Sequence, residues 1–311
     1  MQFVDWTARL RLSTLHEYIS LSYIKPLYRP STMSPSVSPE QYSEVRDAIQ
    51  EALDKHSPRH HEDLPPPPQK PDSPEALAQY IDHTYLKLDA TEAIIRTLCT
   101  QALKYSFKAV CVRAEWVSLC TQLLEGKGRD VLIASVVDFH QGTASPADKA
   151  AEATIAVQSG ARELDLVIDY EALKAGEVEK VFDGIRAVRE AADAAAAAAA
   201  QQGNVTVCLK CILETSQLER DEIVTACVVA EKAGADFVKT STGFNGPGAN
   251  VENVRLMRQV SGSRLGVKAS GGVRDAEDCF RMIEAGATRI GMSNGVGMME
   301  EFINASVENA K

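Results

Sequence analysis

The sequence predicts an α/β protein, a TIM (β/α)8 barrel with an N-terminal extension. From about residue 73, short β-branched runs alternate with longer helical patterns, which is typical of parallel βα units. Eight such runs within about 240 residues match the size of a (β/α)8 barrel. A doubly wound open sheet is the alternative, but no G-x-G-x-x-G phosphate fingerprint follows the first run.

The predicted strands are short apolar runs, and the stretches between them have the 3.6-residue period of a helix. The strands lie near Tyr80–Thr84, Lys108–Val112, Val131–Val137, Glu163–Ile168, Val205–Leu213, Phe237–Lys239, Leu265–Lys268 and Thr288–Met292. The predicted helices include Thr91–Tyr105, Ala147–Ser159, Val178–Ala200, Glu219–Ala233, Val251–Val260 and Ala276–Ala285. Gly160, Gly234 and Gly286 each close a helix, where glycine adopts the left-handed conformation of a C-cap.

Residues 1–72 form the predicted extension, which we expect to be partly disordered, and residues 73–311 form the predicted barrel domain. The run Pro65–Pro68 cannot continue a helix or a sheet, so it predicts a proline-rich extended linker. Pro39–Lys55 carries apolar residues at a spacing of four and predicts a short amphipathic helix, with a mobile tail as the alternative. The basic residues within residues 1–33 leave a transit peptide as a further alternative.

The composition indicates which classes of partner to expect. The chain has 311 residues, a formal net charge of −10 and 45% hydrophobic residues, which is ordinary for a soluble globular protein. The acidic balance argues against nucleic-acid binding, and no run of 18 apolar residues indicates a membrane helix. Seven cysteines, an odd number, fit reduced thiols better than a disulfide framework, so we expect a cytoplasmic protein.

Two lysines occupy equivalent positions at the ends of consecutive predicted strands. Lys239 precedes Thr240–Gly243, and Lys268 precedes Ala269–Gly272. Functional sites of this fold lie where strands end and βα loops begin, so we expect both amines at one rim. Repulsion between them, with desolvation, lowers the pKa of one amine and makes it the nucleophile that a Schiff base requires. A lysine that extends to solvent is the alternative.

Three more charged residues lie inside apolar strand patterns, where an unpaired charge is costly. Asp82 lies in the first predicted strand, Asp165 in the fourth and Lys210 in the fifth. We expect Lys210 to pair with one of the two aspartates. Asp165 either moves protons with a neighbouring lysine or forms a structural ion pair.

Glycine-rich turns follow the last three predicted strands, at Ser241–Gly243, Ser270–Gly272 and Gly291–Gly295. Backbone N–H groups in such turns, with a helix N-terminus behind them, bind phosphate. Phosphate sites after strands seven and eight are common in this fold. The turns therefore predict a phosphorylated ligand, although each glycine could also serve only to make its turn.

The motifs that contain these residues resemble the deoxyribose-phosphate aldolase (DeoC) family of class I aldolases, from about residue 77 to 297. The most specific are Ala235–Gly243, which reads ADFVKTSTG, and Val267–Arg274, which reads VKASGGVR. Shorter matches are Ile81–Thr84, Ala109–Val112, Glu163–Ile168 and Leu213–Thr215.

By this resemblance Lys239 forms the Schiff base, Lys268 perturbs it, and Asp165 acts with Lys268 and a water as the acid–base group. Cys111 lies near the substrate and is not a nucleophile. The other residues that the resemblance assigns to substrate binding are Asp82, Lys210, Thr240, Gly243, Gly271, Gly272 and Ser293. No metal or cofactor is expected, because the iminium does the polarising that a Lewis acid would do.

The reaction that the resemblance implies is reversible cleavage of 2-deoxy-D-ribose 5-phosphate to D-glyceraldehyde 3-phosphate and acetaldehyde, in deoxyribonucleoside catabolism. The expected partners are these small molecules, together with a second copy of the chain in a homodimer. Three features depart from the family pattern. Asp138–His140 stands where bacterial members have Gly-Phe-Pro, Phe244 stands where one subgroup has lysine, and no tyrosine follows Tyr170.

Two other functions remain as alternatives. A degenerate barrel could bind a sugar phosphate without catalysis, but such a protein would have no need of Lys239, Lys268 and Asp165 together. A Schiff-base aldolase for keto acids would favour an arginine that clamps the carboxylate, for which Arg274 is the obvious candidate.

Overall fold

The computed structural model describes residues 37–57, 68–127, 130–199 and 206–309. Its strands are β1 (Ile81–Thr84), β2 (Ala109–Val112), β3 (Leu132–Val137), β4 (Glu163–Val167), β5 (Cys208–Ile212), β6 (Phe237–Lys239), β7 (Gly266–Ser270) and β8 (Arg289–Met292). Its helices are α1 (Pro39–Lys55), α2 (Pro74–Ala78), α3 (Glu92–Tyr105), α4 (Val117–Leu124), α5 (Pro146–Gln158), α6 (Tyr170–Lys174), α7 (Val178–Ala199), α8 (Arg220–Lys232), α9 (Val251–Ser261), α10 (Ala276–Glu284) and α11 (Gly295–Asn309). The predicted features in residues 1–33 and in most of the run Pro65–Pro68 lie outside the described residues.

The eight strands close into a parallel barrel in chain order, with β8 hydrogen-bonded to β1. The (β/α)8 prediction is therefore confirmed. Side chains alternate along each strand, so one set points into the barrel and the other packs beneath the helices. The main hydrophobic core lies between the strands and the surrounding helices.

The predicted helices are all present, and four additional helices appear. Three of these, α2, α4 and α6, are too short to display a clear period in the sequence. The fourth, α11, begins at Gly295, and glycine is a weak helix former that hides the start of the helix. No helix in the described ranges is both long and apolar enough to cross a membrane.

The predicted glycine caps are confirmed by the backbone. Gly160, Gly234 and Gly286 have φ values of 117°, 93° and 117°, in the region that disfavours residues with a Cβ. A Cβ at Gly286 would also lie 2.6 Å from the side chain of Arg258. These positions let each helix turn directly into the next strand.

Helix α1 lies within the predicted extension and packs on the outer face of the barrel, against α7 and α8. Val45 and Ile49 are buried, as the spacing of four predicted. The hydroxyl of Tyr42 donates to the carboxylate of Asp183 at 2.8 Å, and its ring packs edge-on against Phe182. The amphipathic-helix prediction is therefore confirmed, and this part of the extension is held to the barrel.

A layer of ion pairs fills the interior of the barrel near the amino ends of the strands. The guanidinium of Arg289 donates to Asp82 at 2.6 Å and to both oxygens of Glu163 at 2.9 and 3.1 Å. Lys210 Nζ lies 2.6 Å from the same Glu163 carboxylate. Burial opposes the charged form of Arg289, but Asp82 and Glu163 outweigh it and raise its pKa. The layer therefore stays charged and supports the residues above it.

We expect Ile49→Ala to lower the free energy of unfolding by about 2 kcal/mol, because it removes buried methyl groups between α1 and the barrel. Urea denaturation of the full chain measures the change. Glu44→Ala, on the exposed face of the same helix, serves as the control and should change stability little. Equal stability of Ile49→Ala and the parent would mean that α1 contributes nothing to the barrel.

We expect Arg289→Gln to lower the free energy of unfolding by about 3 kcal/mol or more, because Asp82 and Glu163 would then be buried with one cation fewer. Adding Glu163→Gln should restore part of the loss. A double-mutant cycle from urea denaturation should give a coupling of about 1 kcal/mol or more. Strict additivity of the two changes would contradict a direct Arg289–Glu163 interaction.

Candidate active site

Three lysines from neighbouring strands point into the barrel above the ion-pair layer. Lys239 in β6 and Lys268 in β7 are direct partners in the parallel register, and Lys210 in β5 is the partner of Asp165 in β4. All four side chains are buried. Their burial follows from the barrel itself, because inward-facing side chains of adjacent strands meet on its axis.

Asp165 is the common partner of the three lysines. Its Oδ2 accepts hydrogen bonds from Lys239 and Lys268, both at 2.7 Å, and its Oδ1 accepts from Lys210 at 2.8 Å. Burial alone would raise the pKa of this carboxyl, but the three ammonium groups outweigh burial and hold its pKa well below the usual range. The expected pairing of Lys210 with an aspartate is therefore confirmed.

Lys268 and Lys210 are stabilised as cations. Lys268 donates to Asp82 as well as to Asp165, and Lys210 also contacts Glu163 at 2.6 Å. Burial opposes the charge of both lysines, but the attraction of the carboxylates is larger and raises both pKa values.

The balance differs at Lys239. Burial is the largest influence and lowers its pKa; the attraction of Asp165 opposes burial, and the repulsion of Lys268 adds to it. The net pKa of Lys239 is lowered, which is the predicted direction, and burial contributes more to this shift than the neighbouring lysine. The charge count agrees with this direction, since loss of the proton from Lys239 would leave three basic groups facing three carboxylates. The buried cluster contains four basic side chains and three carboxylates, namely Lys210, Lys239, Lys268 and Arg289 with Asp82, Glu163 and Asp165.

A cavity of about 480 Å³ opens at the carboxyl ends of the strands, and Lys239 lines it. Lys210 and Lys268 are fully buried and do not line this cavity. Among the three interior lysines, Lys239 is therefore the one that a ligand in the cavity can reach.

The glycine-rich turns form another part of the cavity wall, which includes Gly243, Gly271, Gly272 and Ser293. The three glycines have φ values of 83°, 79° and 76°. A Cβ at Gly271 would lie 3.3 Å from the Cα of Gly243, so the turns after β6 and β7 pack backbone against backbone. Helix α11 begins two residues after Ser293. The arrangement exposes main-chain groups to a ligand, as phosphate binding requires.

Two other predicted substrate residues, Thr240 and Cys111, are not among the residues that line the cavity. Thr240 is buried, and its hydroxyl joins β6 to β7 by accepting from Ser270 N and donating to Ser270 O, both at 3.1 Å. Cys111 is also buried, with its Sγ 3.9 Å from Asp165 Oδ2. Burial, with the nearby Asp165 charge, raises the pKa of the Cys111 thiol to about 11. It therefore remains a thiol, as expected for a residue that is not a nucleophile.

The departures at Asp138–His140 and Phe244 come together at the mouth of the barrel. The ring of His140 stacks on Phe244 with centroids 5.2 Å apart, and Phe139 meets Phe244 edge-on at 5.1 Å. Phe244 also lines the cavity. The two sequence departures therefore build one aromatic wall.

Three residues of this region have no predicted role. Glu163 and Arg289 complete the interior ion pairs, and the buried carboxylate of Glu214 binds the loop after β6. Strand alternation contains a signal for Glu163, because it lies two residues before Asp165 and faces the same side. No group of three or more His, Cys, Asp or Glu side chains in the described part of the chain is arranged to hold a metal ion.

Comparison with known proteins identifies the family. A model of the DeoC/LacD family aldolases matches residues 76–299. A deoxyribose-phosphate aldolase of Coccidioides immitis is 49% identical over 229 residues, which are 73% of this chain and 80% of the relative. A deoxyribose-phosphate aldolase of Carboxydothermus hydrogenoformans is 47% identical over 228 residues, which are 73% of this chain and 96% of that relative.

Solved structures agree with the sequence relatives. A crystal structure of a candidate deoxyribose-phosphate aldolase from Coccidioides immitis is similar with a TM-score of 0.75 at 43% identity, covering 86% of this chain and 99% of that chain. The tetrameric deoxyribose phosphate aldolase of Aeropyrum pernix gives a TM-score of 0.67 at 30% identity, covering 84% of this chain and 98% of that chain. The chain therefore belongs to the DeoC/LacD family of aldolases.

Proposed function

We propose that this aldolase reversibly cleaves 2-deoxy-D-ribose 5-phosphate to D-glyceraldehyde 3-phosphate and acetaldehyde, through a Schiff base on Lys239. The observation that carries the proposal is the position of Lys239, a lysine with a lowered pKa that lines the same cavity as the glycine-rich turns. The relatives named deoxyribose-phosphate aldolase support the choice of substrate.

The reaction begins when the neutral Nζ of Lys239 attacks the C1 aldehyde of the open-chain sugar. Loss of water gives an iminium, which draws electrons from the neighbouring carbon. The C3 hydroxyl loses its proton to a relay of water, Asp165 and Lys268, in which the last two groups are 2.7 Å apart. The C2–C3 bond breaks, its electrons enter the iminium to form an enamine, and glyceraldehyde 3-phosphate leaves.

The second half of the reaction releases the remaining two carbons. The enamine takes a proton at C2 from the same relay and becomes an iminium again. Water adds to this iminium, acetaldehyde leaves, and Lys239 returns to its free amine. At rest Lys268 is held as a cation by its bonds to Asp82 and Asp165, so it places positive charge beside the reacting amine.

We assign the phosphate to the wall of Gly243, Gly271, Gly272 and Ser293, near the start of α11. Backbone N–H groups bind a phosphate dianion without the desolvation cost of a buried cation. Asp82 and Lys210 contribute indirectly in this proposal, because both hold the charges around Asp165. Thr240 and Cys111 support the site without lining the cavity.

The keto-acid alternative lacks support from the geometry. The side chain of Arg274 is 84% exposed and lies 3.7 Å from the carboxylate of Asp278. It is absent from the described residues that line the cavity with Lys239. A carboxylate clamp would need this guanidinium inside the cavity.

Other features of the protein remain proposals. The seven cysteines are all free, which supports a reducing compartment such as the cytoplasm. The expected homodimer, the absence of nucleic-acid and membrane partners, and the domain boundary between residues 72 and 73 stay predictions.

We expect acetaldehyde and borohydride to label Lys239, and the labelling rate to rise with pH with a midpoint below about 10.4, the value of an exposed lysine. Lys268→Met should move the midpoint upward, because it removes a positive charge that disfavours protonated Lys239. Peptide mapping and a pH series measure both effects. Lys232→Met, on the exposed side of α8, is the control. An adduct on another lysine, or cleavage that persists in Lys239→Met, would rule out the mechanism.

We expect Ser293→Asp to lower kcat/KM for 2-deoxy-D-ribose 5-phosphate by about tenfold or more, because a second anion would then face the phosphate. The value for unphosphorylated 2-deoxy-D-ribose should change little. Ser293→Asn, which is similar in size and neutral, is the matched control. Equal losses with the two sugars would show that the phosphate binds elsewhere.

A further inference from the structure

Glu214 belongs to the motif Leu213–Thr215, yet the proposed reaction gives it no part. Its side chain is buried where β5 ends, and its backbone has a φ of 56°, which disfavours residues with a side chain. No ion pair among the described residues includes it, so neutral donors satisfy its carboxylate. A buried carboxylate without a cation is costly unless its hydrogen bonds are good.

All the hydrogen bonds that the Glu214 carboxylate accepts come from the loop after β6. Thr242 N donates to both oxygens at 3.3 Å, and Thr242 Oγ1 and Asn245 Nδ2 donate to Oε2, the latter at 3.2 Å. Thr242 Oγ1 accepts from Phe244 N at 3.0 Å, so its hydrogen is free to point at Glu214. The carboxylate thus fixes the course of residues 242–245.

The same loop reaches a third loop through Asn245. Its Nδ2 donates to the carbonyl oxygen of His140 at 2.7 Å, and its Oδ1 lies 2.9 Å from His140 Nδ1. Because Nδ2 has carbonyl and carboxylate oxygens as partners, Oδ1 is the acceptor and His140 Nδ1 is the donor. The loops after β3, β5 and β6 are therefore joined in one hydrogen-bonded wall.

This wall faces the cavity, whereas the reactive amine is held independently of it. Thr242, Gly243 and Phe244 line the cavity, and His140 stacks on Phe244. Lys239 is held by its strand and by the hydrogen bond of its Nζ to Asp165 at 2.7 Å, and Glu214 is not among the partners of this amine in the described residues. A change at Glu214 should therefore displace the wall and leave the amine in place.

We propose that Glu214 is a positioning residue that holds the wall segment Thr242–Asn245 in the shape that receives the phosphorylated sugar. The inference rests on the proposed function and extends it to the specificity of the same site. Glu214 makes no contact with reacting atoms; it acts through Thr242 and Asn245. If the wall segment is already ordered before the substrate binds, binding does not include the free-energy cost of ordering it.

Glu214→Gln tests the proposal, because it keeps the size of the side chain and replaces one acceptor oxygen by an N–H2 donor. At least one of the donors from Thr242 or Asn245 then loses its acceptor. We expect the KM for 2-deoxy-D-ribose 5-phosphate to rise about tenfold or more. The rate of acetaldehyde labelling at Lys239, and its pH midpoint, should stay as in the parent. Glu277→Gln, an exposed glutamate in the first turn of α10, is the matched control.

An unchanged KM in Glu214→Gln would overturn the proposal, and so would a parallel loss of labelling at Lys239. Thr242→Val provides a second measurement if Glu214→Gln does not fold, because it removes the hydroxyl that donates to Glu214 and accepts from Phe244 N. Its KM should rise in the same direction, and the loss in the double variant should be smaller than the sum of the two single losses; fully additive losses would contradict the link. Cleavage of 2-deoxy-D-ribose 5-phosphate by the parent enzyme distinguishes the proposed function from the proposed role of Glu214. If the parent does not cleave this sugar, the proposed function itself is refuted.

Discussion

The shared carboxylate of Asp165 is the interaction on which the site depends. Three buried ammonium groups converge on its two oxygens, and two of them share Oδ2. Without this anion, three lysine side chains from adjacent strands would face one another in the buried interior of the barrel with one carboxylate fewer. With it, and with Asp82 and Glu163 beneath, the barrel interior can hold Lys210 and Lys268 as cations. The cluster has one basic side chain more than it has carboxylates. Lys239 is the basic side chain whose pKa is lowered, and it is also the one that lines the cavity.

The fold places the charged residues and the ligand-facing groups of the site on different elements. Strands carry the charged residues at fixed heights in the barrel, and βα loops carry the groups that face a ligand. Apart from Lys239, which contacts Asp165 alone among the residues that the structure describes, the charged side chains of this cluster each have two or more partners that restrain them. The loops are held by contacts with neighbouring loops, such as the close backbone contact between Gly243 and Gly271 and the hydrogen bonds to Glu214. The charged interior of the barrel therefore sets the pKa of Lys239, and the βα loops set the shape of the cavity that Lys239 lines.

The aromatic wall is where this chain differs from the bacterial pattern. Phe139, His140 and Phe244 contact one another across two loops, and the loop after β3 is held from below by Lys149. Lys149 Nζ donates to Gly142 O at 2.8 Å and lies 3.4 Å from the carboxylate of Asp138. The altered residues therefore contact one another or the barrel: His140 stacks on Phe244, and Asp138 lies beside Lys149.

Sequence alone determined the barrel, the approximate bounds of its eight strands and five of the seven interior charged residues, namely Asp82, Asp165, Lys210, Lys239 and Lys268. These features are readable because strand alternation and the cost of burying charge are local properties of the chain. The sequence pattern did not predict the short helices α2, α4 and α6, because one or two turns are too few to show the period of a helix.

The tertiary structure decided how these residues meet. Only the closed barrel brings β8 beside β1, so only the fold could pair Arg289 with Asp82 and Glu163. The same holds for Glu214 and Asn245, which lie on different loops and join through a hydrogen bond at the barrel mouth. A chain pattern records which residues are buried, but the partner of each buried charge depends on strand register and closure. The sequence therefore indicated Lys239 as the amine, while the packed barrel decided which neighbours set its pKa and its access to the cavity.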